Sequence, residues 1–336
     1  MRKVNICTVV LFAIMSPLLA TTALGQEVAE FEPSGKVIAR SFFDFAQGLG
    51  NINDETGFAI TRAFLGYSYL FSPAWSATLI IDGASGNTAG KIEPHIRNAF
   101  INYNNNGLDV SIGMTGLYQF AEQEKFWGHR YVAMTLQDLN KMGHSTDLGV
   151  TVAYRFGNFL AADMSVCNGE GYKTVVRNNS TRYAAGMSVT PVNSLLFRIY
   201  ADVYTESEAM RDEAIAADYT AQKLLSLFAG YRNEWISGGV EAAKLFDKGF
   251  VAGKTVYGVS TFVSGKVAAK WRLFWRYDRL KSANPEGWHG YDGHLSIAGA
   301  EFQPFMQMKI APNFRLSKYE TGGVSTVFFV NFEFDL

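Results

Sequence analysis

The feature that most constrains this chain is a two-residue alternation of apolar and polar side chains, which recurs along segments of roughly ten to thirteen residues. In 266–278, Val267, Trp271 and Leu273 belong to one set of alternate positions, and Lys270 and Arg272 belong to the other. The same split recurs in 108–115, in 305–315 and at the C-terminus in 328–336. A period of two predicts β-strands that present one apolar and one polar face.

Sixteen such strands can be placed along the chain, with boundaries accurate to about two to four residues. The predicted strands are 36–47, 58–71, 75–84, 94–103, 108–116, 145–156, 158–168, 180–190, 194–204, 221–232, 234–246, 254–264, 266–278, 291–302, 305–316 and 324–336.

The predicted connections alternate in length. Short ones follow the even-numbered strands, as at Ser72-Pro73, Gly157, Asn233, Gly265 and Gln303-Pro304. The longer ones, including about 117–144, 205–220 and 279–290, follow odd-numbered strands. An even number of strands with tight turns at one end and long loops at the other is typical of an outer-membrane β-barrel.

The N-terminus predicts export. Residues 1–25 combine Arg2 and Lys3 with an apolar run and small residues before Gln26, which predicts a secretory signal peptide cleaved near Gly25. Residues 26–35 are expected to form a short periplasmic leader, and 36–336 a single barrel domain.

Without the signal, the chain has 28 basic and 31 acidic residues, so no nucleic-acid partner is expected. Cys167 is then the only cysteine, expected to be a small strand residue.

The strand lengths point to a membrane. They match the nine to eleven residues that a tilted strand needs to cross a bilayer, whereas strands of soluble proteins average five or six. Unpaired backbone groups are costly in hydrocarbon, so strands survive there only in a closed sheet. We therefore predict an all-β fold: a transmembrane antiparallel β-barrel of sixteen strands in the outer membrane of a Gram-negative bacterium. Aromatic residues near strand ends, such as Tyr67, Tyr154 and Trp235, are expected to form a girdle.

The polar face carries too much charge for a dry interior. Eleven basic residues are assigned to it: Arg40, Arg62, Arg155, Arg182, Arg198, Arg232, Lys270, Arg272, Arg276, Lys309 and Arg315. Ten acidic residues oppose them: Asp44, Asp109, Asp147, Asp163, Asp202, Glu241, Asp278, Glu301, Glu333 and Asp335. A barrel of sixteen strands is wide enough to hold these groups around an aqueous channel.

The third loop is the longest and mixes charges with large aromatics in Phe126-Trp127-Gly128-His129-Arg130-Tyr131. We expect it to fold into the lumen, with its aromatics on the barrel wall, because long ordered loops are usually functional. Glu122, Glu124, Lys125 and Arg130 would then face the narrowest part of the channel. A solvated surface loop is the alternative.

Several segments together resemble the phosphate-selective porin O/P family. They are EKFWGHRY at 124–131, QDLN at 137–140, STDLGV at 145–150, NGEGY at 168–172 and RAFLGYSYLFSP at 62–73. The resemblance covers essentially the whole mature chain. It implies a homotrimeric pore with the third loop folded inward. The lysine cluster and arginine ladder of its phosphate-specific members cannot be matched residue by residue.

The expected function is passive diffusion of small hydrophilic solutes and inorganic anions through a porin embedded in outer-membrane lipid and lipopolysaccharide. Because basic and acidic lumenal residues nearly balance, only a mild anion preference is expected, with Lys270, Arg272, Arg276 and Arg315 as the one local basic cluster. No cofactor is expected, and the five histidines show no metal-ligand spacing.

Two other functions remain open. A barrel enzyme of the protease or lipase type would need a catalytic cluster at the outer rim, and His289, Asp292 and His294 are close in sequence. A gated, substrate-specific channel would need a plug, for which 26–35 is short.

Overall fold

In the computed structural model, sixteen antiparallel strands pair in sequence order and the first strand pairs with the last, which closes the barrel. The structure describes residues 31–51, 56–85, 92–205, 219–283, 292–319 and 322–336. Residues 1–30, with the predicted signal peptide and the first half of the leader, lie outside the described residues. The barrel belongs to a single unit, Pro33–Leu336. Among the described residues, no helix has the length and hydrophobicity needed to span a membrane.

The strands are longer than those of most soluble proteins. Their bounds are β1 Ser34–Asn51, β2 Thr56–Leu70, β3 Trp75–Ser85, β4 Ile92–Asn105, β5 Leu108–Gly116, β6 Thr146–Phe156, β7 Leu160–Cys167, β8 Arg182–Val192, β9 Leu195–Tyr204, β10 Gln222–Arg232, β11 Ile236–Phe246, β12 Thr255–Ala268, β13 Trp271–Ala283, β14 Gly293–Phe305, β15 Met308–Tyr319 and β16 Gly323–Asp335.

The predicted alternation of faces is confirmed by the burial of the strands. In β9, β10 and β13, buried and exposed residues alternate. Most exposed positions are apolar, such as Leu227 and Trp275, whereas buried positions include Asp202 and Asp278. The apolar face is therefore the outer face of the barrel and the polar face is its interior. We call the two rims the turn end, where the short connections lie, and the loop end, where the longer ones lie.

Two predicted turns were wrong. Gly265 lies within β12, where it pairs with Leu273 of β13, and the turn falls at 269–270. Likewise, Gln303 and Pro304 lie within β14, and the turn falls at 306–307. The register is irregular between Phe302 and Phe305, and such an irregularity accommodates a proline, which has no N–H to donate to the ladder. Glycine and proline mark a turn only where the ladder does not continue past them.

The aromatic residues predicted to form a girdle cluster at the turn end. Tyr67, Tyr154, Tyr231, Trp235 and Phe334 are exposed close to the short connections. Neighbouring rings contact one another there, as Trp75 and Tyr103 do with centroids 5.0 Å apart. Amphipathic rings at one level of the barrel are typical of the membrane–water interface.

Candidate functional site

The connection between β5 and β6, residues 117–145, is the longest described loop; we call it the β5–β6 segment. It contains helix α1, Ala121–Trp127, and one turn of helix α2, Leu136–Leu139. Gly128 ends α1 with a φ of 69°, and its N–H donates to the carbonyl of Glu124. A left-handed residue at this position is the conformation that glycine adopts without strain.

One side of the segment forms an apolar cluster with the barrel interior. Phe126, Trp127, Tyr131 and Val132 pack against six strand residues, Phe42, Phe228, Phe262, Phe274, Ile297 and Ala311. These come from β1 and from β10 and β12–β15. Trp127 is 1% exposed and meets the rings of Phe262 and Phe274 edge-on. Burial of such large aromatics is a strong attachment for a loop.

Polar groups of the wall also bind backbone carbonyls of the segment. The Ser237 hydroxyl donates to the carbonyl of Phe126 over 2.6 Å. Arg276 donates to Met134 over 2.5 Å, and Arg315 donates to Val132 over 2.6 Å. Arg276 and Arg315 both flank Ile297 in one row of the sheet. These charged groups therefore complete the hydrogen bonding of an otherwise buried backbone.

A second attachment centres on Glu301. Its carboxylate accepts from the Tyr131 hydroxyl over 2.8 Å and lies 3.0 Å from Nδ1 of His129. The other ring nitrogen of His129 lies 2.9 Å from the Ser264 hydroxyl. Burial, together with the Glu301 charge, raises the pKa of Tyr131 far above its usual value, so this phenol remains a donor.

A third attachment joins both helices to Glu241 of β11. Gln123 of α1 donates to Glu241 over 3.2 Å, and Gln137 of α2 donates to the same oxygen. Gln119 extends the chain by donating to Gln137 over 2.7 Å. All four side chains are at most 1% exposed. A buried acid shared by two helices fixes their separation.

The opposite side of the segment borders open space. A cavity of about 630 Å³ lies between Glu122 and Lys125 of α1 and the interior of β5–β9. Its wall is polar and includes Asp109, Asp163 and Arg198. Lys125 pairs with Glu122 at 2.7 Å and Arg198 with Asp163 at 2.6 Å, so charges of both signs face the cavity.

Near β2–β4 the segment presents another charged group. Arg130 contacts Glu124 at 2.6 Å and Asp138 at 2.7 Å. Burial raises the pKa of Glu124, and the Arg130 guanidinium opposes that rise. Glu124 and Arg130 share a cavity of about 200 Å³ with Arg97 of β4.

The wall opposite this group holds a second charged pair. Arg62 pairs with Asp82 at 2.6 Å, and Tyr172 from the β7–β8 loop bonds to both, at 2.8 and 2.7 Å. Burial raises the pKa of Tyr172 to about 12. The NGEGY stretch therefore supplies a wall contact through its tyrosine.

Most predicted lumenal cations have acidic partners. The pairs of Arg62, Arg130, Arg198 and Lys125 are described above. Four further pairs are Arg40 with Asp335, Arg182 with Asp202 at 3.4 Å, Arg276 with Asp278 at 2.5 Å and Lys309 with Glu333 at 2.6 Å. Among the described residues no carboxylate lies within ion-pair distance of Arg315, which bonds to Asn313 and Asn331. Paired interior charges contribute little net field to a channel.

The structure does not bring the four residues of the predicted basic cluster together. Lys270 lies in the exposed turn between β12 and β13, because β12 continues through Ala268. Arg272 donates to Ser264 over 3.2 Å, towards the turn end. Arg276 and Arg315 lie farther along the barrel, beneath the β5–β6 segment. These four residues therefore do not act as one site.

Of the residues named for the barrel enzyme, the two that the structure describes, Asp292 and His294, make separate contacts. His289 lies outside the described residues, and the ring of His294 stacks on Tyr277 at the outer face. Asp292 accepts a hydrogen bond from the backbone of Ser282. Within the described ranges, no group of three or more His, Cys, Asp or Glu residues could hold a metal ion.

Sequence reasoning missed the glutamines of the segment. Glu241 and Glu301 were assigned to the polar face only as counter-charges, and Gln119, Gln123 and Gln137 were not singled out. Gln123 and Gln137 meet Glu241 across 118 and 104 residues of sequence. The available signal is the i, i+4 spacing of Gln119 and Gln123 beside aromatics, which favours a buried polar helix face.

No known family profile and no curated protein matches this chain. Solved structures do. OprB of Pseudomonas putida is 12% identical with a TM-score of 0.65, covering 90% of this chain and 94% of its own. The outer membrane channel DcaP of Acinetobacter baumannii is 12% identical with a TM-score of 0.64, over 93% and 100%. A trimer form of OmpT, an outer membrane protein of Vibrio cholerae, is 11% identical with a TM-score of 0.60, over 90% and 99%. At such low identity these likenesses establish the porin-like barrel fold.

Proposed function

We propose that this chain is a passive porin of a Gram-negative outer membrane, through which small hydrophilic solutes diffuse. The observation that carries the proposal is the closed sixteen-strand barrel with an apolar outer face and a polar cavity of about 630 Å³ inside. The interior of a small barrel is filled by side chains, whereas a barrel of sixteen strands is wide enough to hold an aqueous channel.

In this proposal the β5–β6 segment lies inside the barrel and narrows the lumen. Its aromatics contact β1, β10 and β12–β15 at once, which a segment outside a closed barrel has no means of reaching. Solutes then pass on the side that the segment leaves open, between α1 and β5–β9. The narrowing is lined by Glu122 and Lys125 on the segment and by Asp163 and Arg198 on the wall.

Selectivity is proposed to be weak. Glu122 pairs with Lys125 and Asp163 with Arg198 at the cavity, while Asp109 accepts hydrogen bonds from Asn102, Asn104 and Tyr118. The lining therefore orients dipolar solutes more than it selects ions. A mild anion preference would come from Arg97 and Arg272, for which no carboxylate lies within ion-pair distance among the described residues. Phosphate preference, which the family resemblance implies, would use these same residues.

We further propose the partners and location that the fold suggests. The exposed apolar face is suited to outer-membrane lipid and lipopolysaccharide. A homotrimer is proposed in view of the sequence resemblance and of the OmpT trimer form. Cleavage near Gly25, with 26–35 as a periplasmic leader, remains part of this proposal.

The test is flux through proteoliposomes of refolded, heat-modifiable protein, using uncharged sugars of increasing size. A sharp size limit, with a small reversal potential in a KCl gradient, is the expected result. Block of the KCl current by phosphate would indicate a specific channel. Exclusion of every sugar and ion by folded protein would contradict the porin and favour the enzyme or the gated channel.

A further inference from the structure

Charge on the outer face of the barrel is confined to one side. Among the described residues, outward strand positions of β1–β9 and β16 hold no Asp, Glu, Lys or Arg, as the register and burial of these strands show. The outward positions of β10–β15 hold five basic residues and no acidic one. They are Lys223, Lys244, Arg279, Lys281 and Lys318.

All five lie at the loop end. Lys223 is the second residue of β10, and Lys244 is two residues before the end of β11. Lys281 and Lys318 lie two residues and one residue before the ends of β13 and β15. They therefore form a band at one height of the barrel, at the edge of the apolar outer face.

The register brings these residues into neighbouring rows. Lys244 pairs with Tyr257, which in turn pairs with Lys281. Arg279 pairs with His294, which pairs with Lys318. Because adjacent strands lie about 4.8 Å apart, the Cα atoms of Lys244 and Lys281, two strands apart in one row, lie about 10 Å from each other. One anionic headgroup can meet several of them.

Aromatic rings flank the band on the outer face. Nζ of Lys244 lies 4.2 Å from the ring centre of Phe246 and 4.9 Å from that of Tyr257. Lys223, Lys281 and Lys318 are exposed, and no carboxylate of the described chain lies within ion-pair distance of them. A lysine whose stem lies on apolar surface while its charge reaches water is typical of a membrane boundary.

We infer that this band, Lys223, Lys244, Lys281 and Lys318 with Arg279, binds the phosphate groups of a phosphorylated glycolipid in the outer leaflet. A lipid phosphate complements the charge at this height, and the apolar positions below it would contact the acyl chains. A second copy of the chain would offer no acidic outward strand position to match. The inference depends on the proposed outer-membrane location but not on an open pore.

The test is native mass spectrometry of the refolded chain titrated with bisphosphorylated lipid A and with its dephosphorylated form. The variant K244Q/K281Q/K318Q removes three cations of the band. The matched control K36Q/K141Q/K173Q removes three exposed lysines elsewhere. At roughly fivefold per lysine, affinity of the first variant for the phosphorylated lipid should fall on the order of a hundredfold, with the control unchanged.

The outcomes separate the possible occupants. Equal binding by both variants, or equal binding of both lipids to the unmodified chain, would overturn the inference. Displacement of the lipid by a small excess of inorganic phosphate would show that the band binds free phosphate. Loss of a dimer rather than of lipid would show that a second copy covers it. Should the triple variant fail to fold, Lys281→Gln alone, at an exposed position, must lower the affinity. Conductance of each variant, measured in parallel, tests the porin separately.

Discussion

The interior of the barrel has two unlike walls. The fastened wall, formed by β10–β15, meets the β5–β6 segment with Phe228, Phe262 and Phe274 and donates hydrogen bonds to its carbonyls. The open wall, formed by the interior positions of β5–β9 near the turn end, faces the cavity of about 630 Å³ with polar and charged groups. Nearer the loop end, Ala184 and Tyr200 of these strands pack with Leu136 and Met142 of the segment. The same closed sheet therefore supports a dry, packed contact on one side and a wet surface on the other.

In the proposed porin, this difference shows how a loop would shape a channel. Arginines at the fastened wall, such as Arg276 and Arg315, donate their hydrogen bonds to carbonyls of the segment and to neighbouring side chains. Arg198 at the open wall pairs with Asp163 beside the cavity and also donates to the carbonyl of Tyr118, near the start of the segment. In the proposed porin, arginines of both walls therefore attach the segment, whereas those of the open wall also line the passage. Substitutions on the two walls should have different effects.

The largest effect is expected from Trp127→Ala. Removal of this buried ring should cost about 3–5 kcal/mol of packing and loosen the segment from the fastened wall. Strand pairing is untouched, so the barrel should remain heat-modifiable in gel electrophoresis while single-channel conductance becomes larger and noisier. Trp235→Ala, at an exposed girdle position, is the control and should conduct like the unmodified chain. Unchanged conductance in both variants would show that the segment does not narrow the passage.

The next effect is expected from Glu241→Ala. The substitution leaves the amides of Gln123 and Gln137 buried without their acceptor, at a cost of about 1–3 kcal/mol each. Because the two helices then lose their common anchor, the open state should flicker between several conductance levels. The exposed Glu234→Ala serves as the matched control. A single steady level in Glu241→Ala would show that the anchor is dispensable.

A pH effect is expected at the end of the segment. Burial and the nearby Arg182 lower the pKa of His144 below its usual 6.5. Below pH 6.5 the unfolded histidine therefore binds a proton that the folded one resists, and stability should fall by up to about 1.4 kcal/mol per pH unit until the folded pKa is reached.

The measurement for this effect is the midpoint of urea unfolding between pH 7 and pH 5. His144→Asn should flatten the decline relative to the unmodified chain, and the outward-facing His294→Asn should not. If both variants decline as steeply as the unmodified chain, the histidine is not the source.

The smallest effect is expected from single charges at the open wall. Lys125→Gln should shift the reversal potential towards cations, and Glu122→Gln should shift it towards anions, because each leaves its partner unopposed beside the cavity. In water-like surroundings one charge is worth up to about 1 kcal/mol, so permeability ratios should change by less than about fivefold. Shifts of equal sign in the two variants would place these residues away from the passage.

The sequence is informative about the barrel because alternation is a local property. All sixteen strands can be located from it, including β13, where Trp275 and Arg276 take opposite faces. Errors arise where a local cue conflicts with the ladder, as at Gly265 and Pro304, which continue strands instead of ending them. A turn cue is decided by the partner strand, which local sequence does not contain.

The site is less accessible to sequence reasoning. The charged residues of the segment could be named in advance, yet the pairing of Arg130 with Glu124 and Asp138 depends on the fold of the segment. Glu241 and Glu301 meet their partners across more than a hundred residues. Which cation lines a passage and which fastens a loop is therefore a property of tertiary contacts.

The central claim is that the folded barrel is an open, water-filled pore beside a fastened segment. Single-channel recording of refolded, heat-modifiable protein in a planar bilayer with KCl on both sides tests it most directly. An open pore predicts stepwise current increments of one reproducible size, with only a small reversal potential when the salt is made unequal. A correctly folded barrel that inserts without any conductance would contradict the claim.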